Sequence, residues 1–167
     1  MNDQLTESDI KKLQEEIDYR KLVVRKEALE AVKEARAQGD LSENFEYHAA
    51  KKDKNKNESR IRYLERMIKT ARIISDDSQE DEVGLNKTVT VYFEDDDETE
   101  VYKIVTTIRG NSLDGRISNE SPLGSALMKH KVGDRVFIQT EGNNGYYVVI
   151  KAIENTGEAE TDKIRSF

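Results

Sequence analysis

The chain has 167 residues, 37% of them charged and only 35% hydrophobic, with a formal net charge of −7. That length holds one or two domains, and so lean an apolar content fits a chain with much of its length in a helical arm that buries one stripe per helix. With no cysteine in the chain, disulfides and thiolate metal sites are excluded, and no apolar run approaches the about 18 residues of a membrane span.

The expected location is therefore a reducing cytoplasm, and Met1-Asn2-Asp3-Gln4 has no signal-peptide character. The charge is divided unevenly. Residues 1–75 carry 17 Lys and Arg against 15 Asp and Glu, a net of +2, and the remainder carry 10 against 19, a net of −9. So acidic a second part repels a nucleic-acid backbone and argues against simple wrapping of duplex DNA.

In chain order, the spacing predicts a first helix over 7–38, opened by Thr6 and Asp9 as a capping box. Apolar and small residues recur at Ile10, Leu13, Ile17, Val24, Ala28, Ala31 and Ala35, with Arg20 and Lys21 interrupting the line. A second helix is expected over 43–73, with its seam at Ala50, Lys54, Asn57, Ile61, Leu64, Ile68 and Ala71. Folding at Gly39 sets Leu13 near Ile68, Ile17 near Leu64, Val24 near Asn57 and Ala31 near Ala50. This is an antiparallel coiled coil, well packed at its base and thin at its far end.

Between the helices runs Gly39-Asp40-Leu41-Ser42-Glu43-Asn44-Phe45-Glu46-Tyr47. Gly39 can take positive φ and end the first helix. Ser42 offers a cap to the second, and Glu43 and Glu46 put negative charge in its first turn. Two carboxylates, Asp40 and Glu43, then stand at the extreme tip. A tip far from any core suits a group delivered into another protein's active site. The same acidic residues are also explained by the helix dipole alone. The run Lys51 to Lys56, with Arg60, Arg62 and Arg66, reads by default as a solvated helix face, and Phe45 and Tyr47 as a clamp on the thin end or as RNA contacts.

Residues 76–84 read as an acidic linker. Lys87 to Phe93 alternates as a strand, Glu94 to Glu98 is an acidic turn, and Val101 to Ile108 completes a hairpin. Ser121-Pro122 opens a short helix through His130, and strands follow at 135–140 and 146–150. His48 and His130 stand alone, with no partner pattern. The tail 155–167 is expected to fray. The fold class is α+β with two domains: residues 1–75 an antiparallel coiled-coil arm, 85–154 a small antiparallel sheet with one short helix.

Gly39 to Lys52 (GDLSENFEYHAAKK), preceded by EARAQ, resembles the hairpin-tip motif of the Gre family of bacterial transcript-cleavage (transcription elongation) factors. Ser121 to Asp134 (SPLGSALMKHKVGD) resembles that family's C-terminal signature, and the order of elements agrees up to Glu154. The resemblance implies an FKBP-like second domain. It also implies a partner, bacterial RNA polymerase, whose secondary channel the coiled coil enters when the enzyme has backtracked. The polymerase then cleaves the 3′ end of its nascent RNA; the factor is a cofactor rather than an enzyme. Asp40 and Glu43 correspond to the functional pair, sharing Mg²⁺ with the polymerase active site and binding none tightly alone. Mg²⁺ prefers oxygen ligands and keeps several waters, so two carboxylates can complete such a site but hardly make one. By the same resemblance, Arg36, Tyr47, Lys51 and Lys52 face RNA, and Ser121 and Pro122 grip the rim of the channel.

Phe45 departs from the alanine common in this motif, and Thr106 to Asp114 lacks the acidic, proline-containing loop of the family. A channel-binding inhibitor of polymerase would use the same two domains, and an RNA-extension assay separates it. A prolyl isomerase needs an aromatic proline pocket, and a purely structural adaptor leaves the tip unexplained. A coiled coil that closes on itself predicts a monomer.

Overall fold

The computed structural model describes residues 3–39 and 44–166. The chain divides into two compact units, a first ending at Ile73 and a second of Ile74–Ser166.

In the first unit, α1 (Glu7–Tyr19), a π-helical segment (Arg20–Val24) and α2 (Arg25–Ala37) follow one another, and α3 (Phe45–Thr70) returns alongside them. Thr6 caps α1 as expected: its hydroxyl accepts from the Asp9 amide, and Asp9 Oδ2 accepts from the Thr6 amide. The ends of the hairpin meet in a way the periodicity does not reveal. β1 (Gln4–Leu5) pairs in parallel with β2 (Arg72–Ile73), so α3 stops at Thr70 and its continuation to 73 becomes strand. Leu5, Leu13, Ile17, Ile61, Leu64 and Met67 are buried there and form the base of the arm.

Beyond Ile17, Ala35 is the next buried apolar residue of the outgoing helices, while Leu22 is 74% exposed. Polar contacts hold this middle stretch. Asn57 is buried; its Oδ1 accepts from Arg20 Nη1 at 3.0 Å, and its Nδ2 donates to the Arg20 carbonyl at 3.3 Å. The π segment begins at Arg20, so the residues that interrupt the apolar line mark where the helix widens. Arg25 grips Glu58 with two hydrogen bonds of 3.0 and 2.9 Å, and Lys21 reaches Glu65 at 3.1 Å.

Arg60 corrects the reading of a solvated basic face. Its side chain is 4% exposed, and its Nε donates to Glu16 Oε2 at 2.9 Å. Arg20 Nε meets the same oxygen at 2.7 Å. Burial pushes the Glu16 carboxyl up, but the two guanidinium groups outweigh it and hold it below its ordinary value. A carboxylate depressed in the folded state contributes stability above its unfolded pKa, and that contribution is lost as pH falls through the lower folded value. Glu16→Gln leaves a buried guanidinium without its carboxylate. The expected result is a loss of about 3 kcal/mol in the arm, read as an earlier melt of the helical circular dichroism; an unchanged melt refutes it.

The second unit is a five-stranded sheet in the order β5-β4-β3-β7-β6. Its strands are β3 (Thr88–Phe93), β4 (Glu98–Val105), β5 (Arg116–Ser118), β6 (Arg135–Gln139) and β7 (Gly145–Glu154). All neighbours are antiparallel except β4 and β5, which pair in parallel, so the sheet is mixed. β5 is only three residues long and lies between the expected elements. Val89, Val91, Ile104, Val136, Ile138, Val148 and Ile150 share one buried face with Leu127 of α4 (Pro122–Leu127). Residues 106–114 carry two single 3₁₀ turns, Thr107–Arg109 and Ser112–Asp114.

Three sequence expectations change here. The end of the presumed linker is core: Val83 is fully buried, its amide donates to the His130 carbonyl, and its carbonyl accepts from the Lys129 amide. Nor does the tail fray. Asp162 is buried, the Arg165 amide donates to the Ile108 carbonyl, and Arg109 pairs with Glu158 at 2.6 Å. His130 has a partner as well, Asp134 Oδ2, 3.0 Å from its Nδ1. Along the rest of the tail's contact, Lys103 pairs directly with Asp162.

Candidate functional site

The arm's tip is built by the residues that end its helices. Gly39 takes φ 134°, a conformation that L side chains rarely adopt, and there the chain leaves α2. Asn44, not Ser42, caps α3: its Oδ1 accepts from the Tyr47 amide at 3.0 Å. Its Nδ2 also donates to the Ala35 carbonyl at the end of α2, at 2.7 Å. One side chain thus satisfies an orphan donor of one helix and gives a second donor to the Ala35 carbonyl of the other, which also accepts from the Gln38 amide at 3.3 Å. Sequence reasoning passed over Asn44 for the serine two residues earlier, although asparagine caps at least as well. Asp40 and Glu43, with Leu41 and Ser42, lie outside the described residues.

Behind the tip, the structure brings together part of the expected basic patch. Arg36 Nη2 donates to the Tyr47 hydroxyl at 3.4 Å, and its guanidinium carbon lies 5.5 Å from the ring centroid. The Arg36 hydrogen bond lowers the Tyr47 hydroxyl from its ordinary value, against the opposing effect of desolvation, and the charges of Lys51, Arg36 and Lys54 add to it. Arg36, Lys51 and Lys52 are exposed. Tyr47 is half-buried between α2 and its own helix, with His48 edge-on at 5.4 Å. Phe45, at 86% exposed, is not a clamp on the described residues of the hairpin's thin end.

In the second unit, Ser121 caps α4. Its Oγ accepts from the Gly124 amide at 3.0 Å and donates to the Ser118 carbonyl at 2.6 Å, so the hydroxyl is engaged within the fold. Gly124 is needed for that approach, since a Cβ there would stand 2.0 Å from the Ser118 carbonyl oxygen. Pro122 is exposed and borders an apolar groove of about 660 Å³ with Ile117, Leu123, Ile138 and Tyr146. An exposed proline beside an apolar groove suits contact with another protein.

Among the described residues, no cluster of three or more His, Cys, Asp or Glu is placed to hold a metal ion, and no helix is long and apolar enough to cross a membrane.

Comparison with known proteins places both units. Residues 3–73 match the family described as Transcription elongation factor, N-terminal, and residues 78–155 match Transcription elongation factor, GreA/GreB, C-term. The chain is 45% identical over 148 residues to transcription elongation factor GreA of Bacillus licheniformis, covering 88% of this chain and 94% of that one. It is 42% identical over 147 residues to GreA of Bacillus subtilis, with the same coverage. Among solved structures it resembles GreA factor homolog 1 (Gfh1) of Thermus thermophilus, at 27% identity and a TM-score of 0.43, covering 92% of this chain and 99% of that one. The chain belongs to the GreA/GreB family of transcription elongation factors.

Proposed function

We propose that this factor inserts its helical arm into the secondary channel of bacterial RNA polymerase and stimulates the polymerase's own endonucleolytic cleavage of backtracked RNA. The observation that carries the reading is the placement of Asp40 and Glu43 within residues 38–44, which join α2 to α3, in a chain that matches the family over both units. At about 1.5 Å per residue, the 26 residues of α3 reach about 39 Å, long enough to carry a small chemical group deep into a partner.

The donor set fits Mg²⁺ as a shared ion. Two carboxylates match the one or two that Mg²⁺ takes from any protein, and the remaining ligands would be water, RNA and polymerase. When bound, the ion supplies an acidified water and neutralises charge on the leaving oxygen. The chain's own part is to bring Asp40 to that ion or its water and to use Glu43 to orient the water. Arg36, Lys51 and Lys52 meet the phosphates of the extruded 3′ RNA, and Tyr47, steadied by Arg36, offers a ring beside them. Pro122 and its groove dock on the polymerase, with Ser121 shaping the turn that presents them.

The test uses polymerase halted and backtracked on a template, with RNA labelled at its 5′ end. The parent shortens the RNA in the presence of Mg²⁺ and restores extension; Asp40→Ala/Glu43→Ala does neither. If the parent blocks extension without shortening the RNA, the protein is a channel inhibitor and the reading is wrong.

A further inference from the structure

The outer face of the sheet already contains a filled seat for a guanidinium. Arg135 on β6 lies on the Tyr147 ring, its guanidinium carbon 3.6 Å from the centroid. The same group donates from Nε and Nη2 to the two carboxylate oxygens of Glu94, at 2.8 and 3.0 Å. An aromatic face and a carboxylate from the β3–β4 turn together hold a planar cation.

The inner face repeats this combination without the cation. Strand alternation turns Tyr146 to the side opposite Tyr147, where it stacks on Phe93 at 5.9 Å with an interplanar angle of 29°. Tyr102 meets Phe93 edge-on at 6.3 Å. Phe93 and Tyr146 line a cleft of about 340 Å³ with Asp95 and Asp96, from the same turn as Glu94. Two other acids of this turn are engaged: Glu94 by Arg135, and Asp97 by the Tyr92 hydroxyl at 2.7 Å. Asp95 and Asp96 are exposed and have no hydrogen bond or ion pair among the described residues. Among the described residues, no Lys or Arg lines this cleft or the adjoining groove, which shares Tyr146 and has Glu141 as its charged side chain.

Asp95, Asp96 and Glu141 make the local field negative. Burial and then the Glu100 charge hold the Tyr102 hydroxyl above its ordinary value, and burial does the same at Tyr146. A hydrated metal ion gains nothing from the two rings and would find only two carboxylates. A guanidinium gains from both, because it is weakly hydrated, stacks on rings and forks onto carboxylates.

We infer that the cleft of Phe93, Asp95, Asp96 and Tyr146 seats an arginine side chain of the docking partner, whose neighbouring apolar residue enters the groove at Pro122, Leu123 and Ile138. The inference rests on the polymerase-docking reading above and names the chemistry of that contact. It is tested by titrating bacterial RNA polymerase core enzyme with the full chain at low and high salt. Asp95→Asn/Asp96→Asn weakens binding by about tenfold at low salt and flattens its salt dependence; Asp95→Lys/Asp96→Lys weakens it further. Both substitutions fall in an exposed turn and leave the melting of the second unit in place. Without polymerase, arginine amide shifts the Phe93 and Tyr146 ring resonances of the parent, and citrulline amide, its uncharged analogue, does not. If the neutralised variant binds polymerase as tightly as the parent at both salts, the seat is overturned and docking stands. If the parent itself fails to bind polymerase, the docking reading fails and the inference with it. Ring resonances that ignore arginine amide also overturn the seat.

Discussion

Asp40→Asn slows factor-dependent shortening of backtracked RNA by about 100-fold, the scale on which a lost metal-shell partner or charge-stabilising group acts. Binding to polymerase is unchanged, because the substitution keeps the size of the side chain and changes no residue of the arm's base or of the groove at Pro122. The two carboxylates are separable by their Mg²⁺ dependence. If Asp40 is the closer ligand, Asp40→Asn raises the Mg²⁺ concentration needed for half-maximal cleavage, and high Mg²⁺ restores part of the rate. If Glu43 orients water, Glu43→Gln lowers the rate at saturating Mg²⁺ and leaves the half-maximal concentration alone. Reversed profiles exchange the two roles. A parental rate for Asp40→Asn removes the tip from the chemistry.

The elements most legible in the sequence are those whose cause is local. Thr6 and Asp9 cap each other across three residues, and Ser121 and Pro122 start a helix within one turn. The β3–β4 hairpin follows from alternation on either side of an acidic turn. What escaped depends on partners distant in sequence. Arg60 looks like one more surface cation until Glu16, 44 residues away, is beside it. β1 and β2 are two residues each, too short for any period, and pair only because the hairpin returns α3 beside the chain's start. The π segment adds a residue to a turn without altering the residue types that favour helix, so composition cannot announce it. At the tip, the motif pointed to Asp40 and Glu43, but the side chain that spans the gap between the two helices is Asn44.

The tail is the largest departure, and it carries the second large effect. Removing residues 155–167 lowers the stability of the second unit by about 3 kcal/mol, which for a unit of this size moves its melting midpoint down by about 12–20 °C. The family match ends at residue 155, so a polar end beyond it looks dispensable. The structure argues otherwise. Asp162, with a side chain 5% exposed, faces Lys103, 14% exposed, which pairs with it directly. Arg116 Nε lies 3.9 Å from Asp162 Oδ1, and Arg109 Nη1 donates to the Asp162 carbonyl at 3.1 Å. Arg116 keeps Asp114 and the Arg109 carbonyl when the tail is gone, but Lys103 loses Asp162 and Arg109 loses Glu158; with the tail in place, losing the Asp162 charge alone leaves Lys103 a nearly buried lone cation. Asp162→Asn therefore reproduces much of the loss with the chain length intact, and Lys103→Met combined with Asp162→Met recovers most of it, since no lone charge is left behind. Burial pushes the Asp162 carboxyl up, but the hydrogen bonds from Lys103 and the Ala159 amide, with the charges of Lys103 and Arg116, hold it below its ordinary value. The contribution is thus complete at neutral pH, starts to fall near the ordinary aspartate value of about 3.9, and is gone below the lower folded value. The truncated chain and Asp162→Asn should converge with the parent only in that acid range. A truncated chain that melts with the parent at pH 7 would mean that the tail is not part of the second unit's fold in solution.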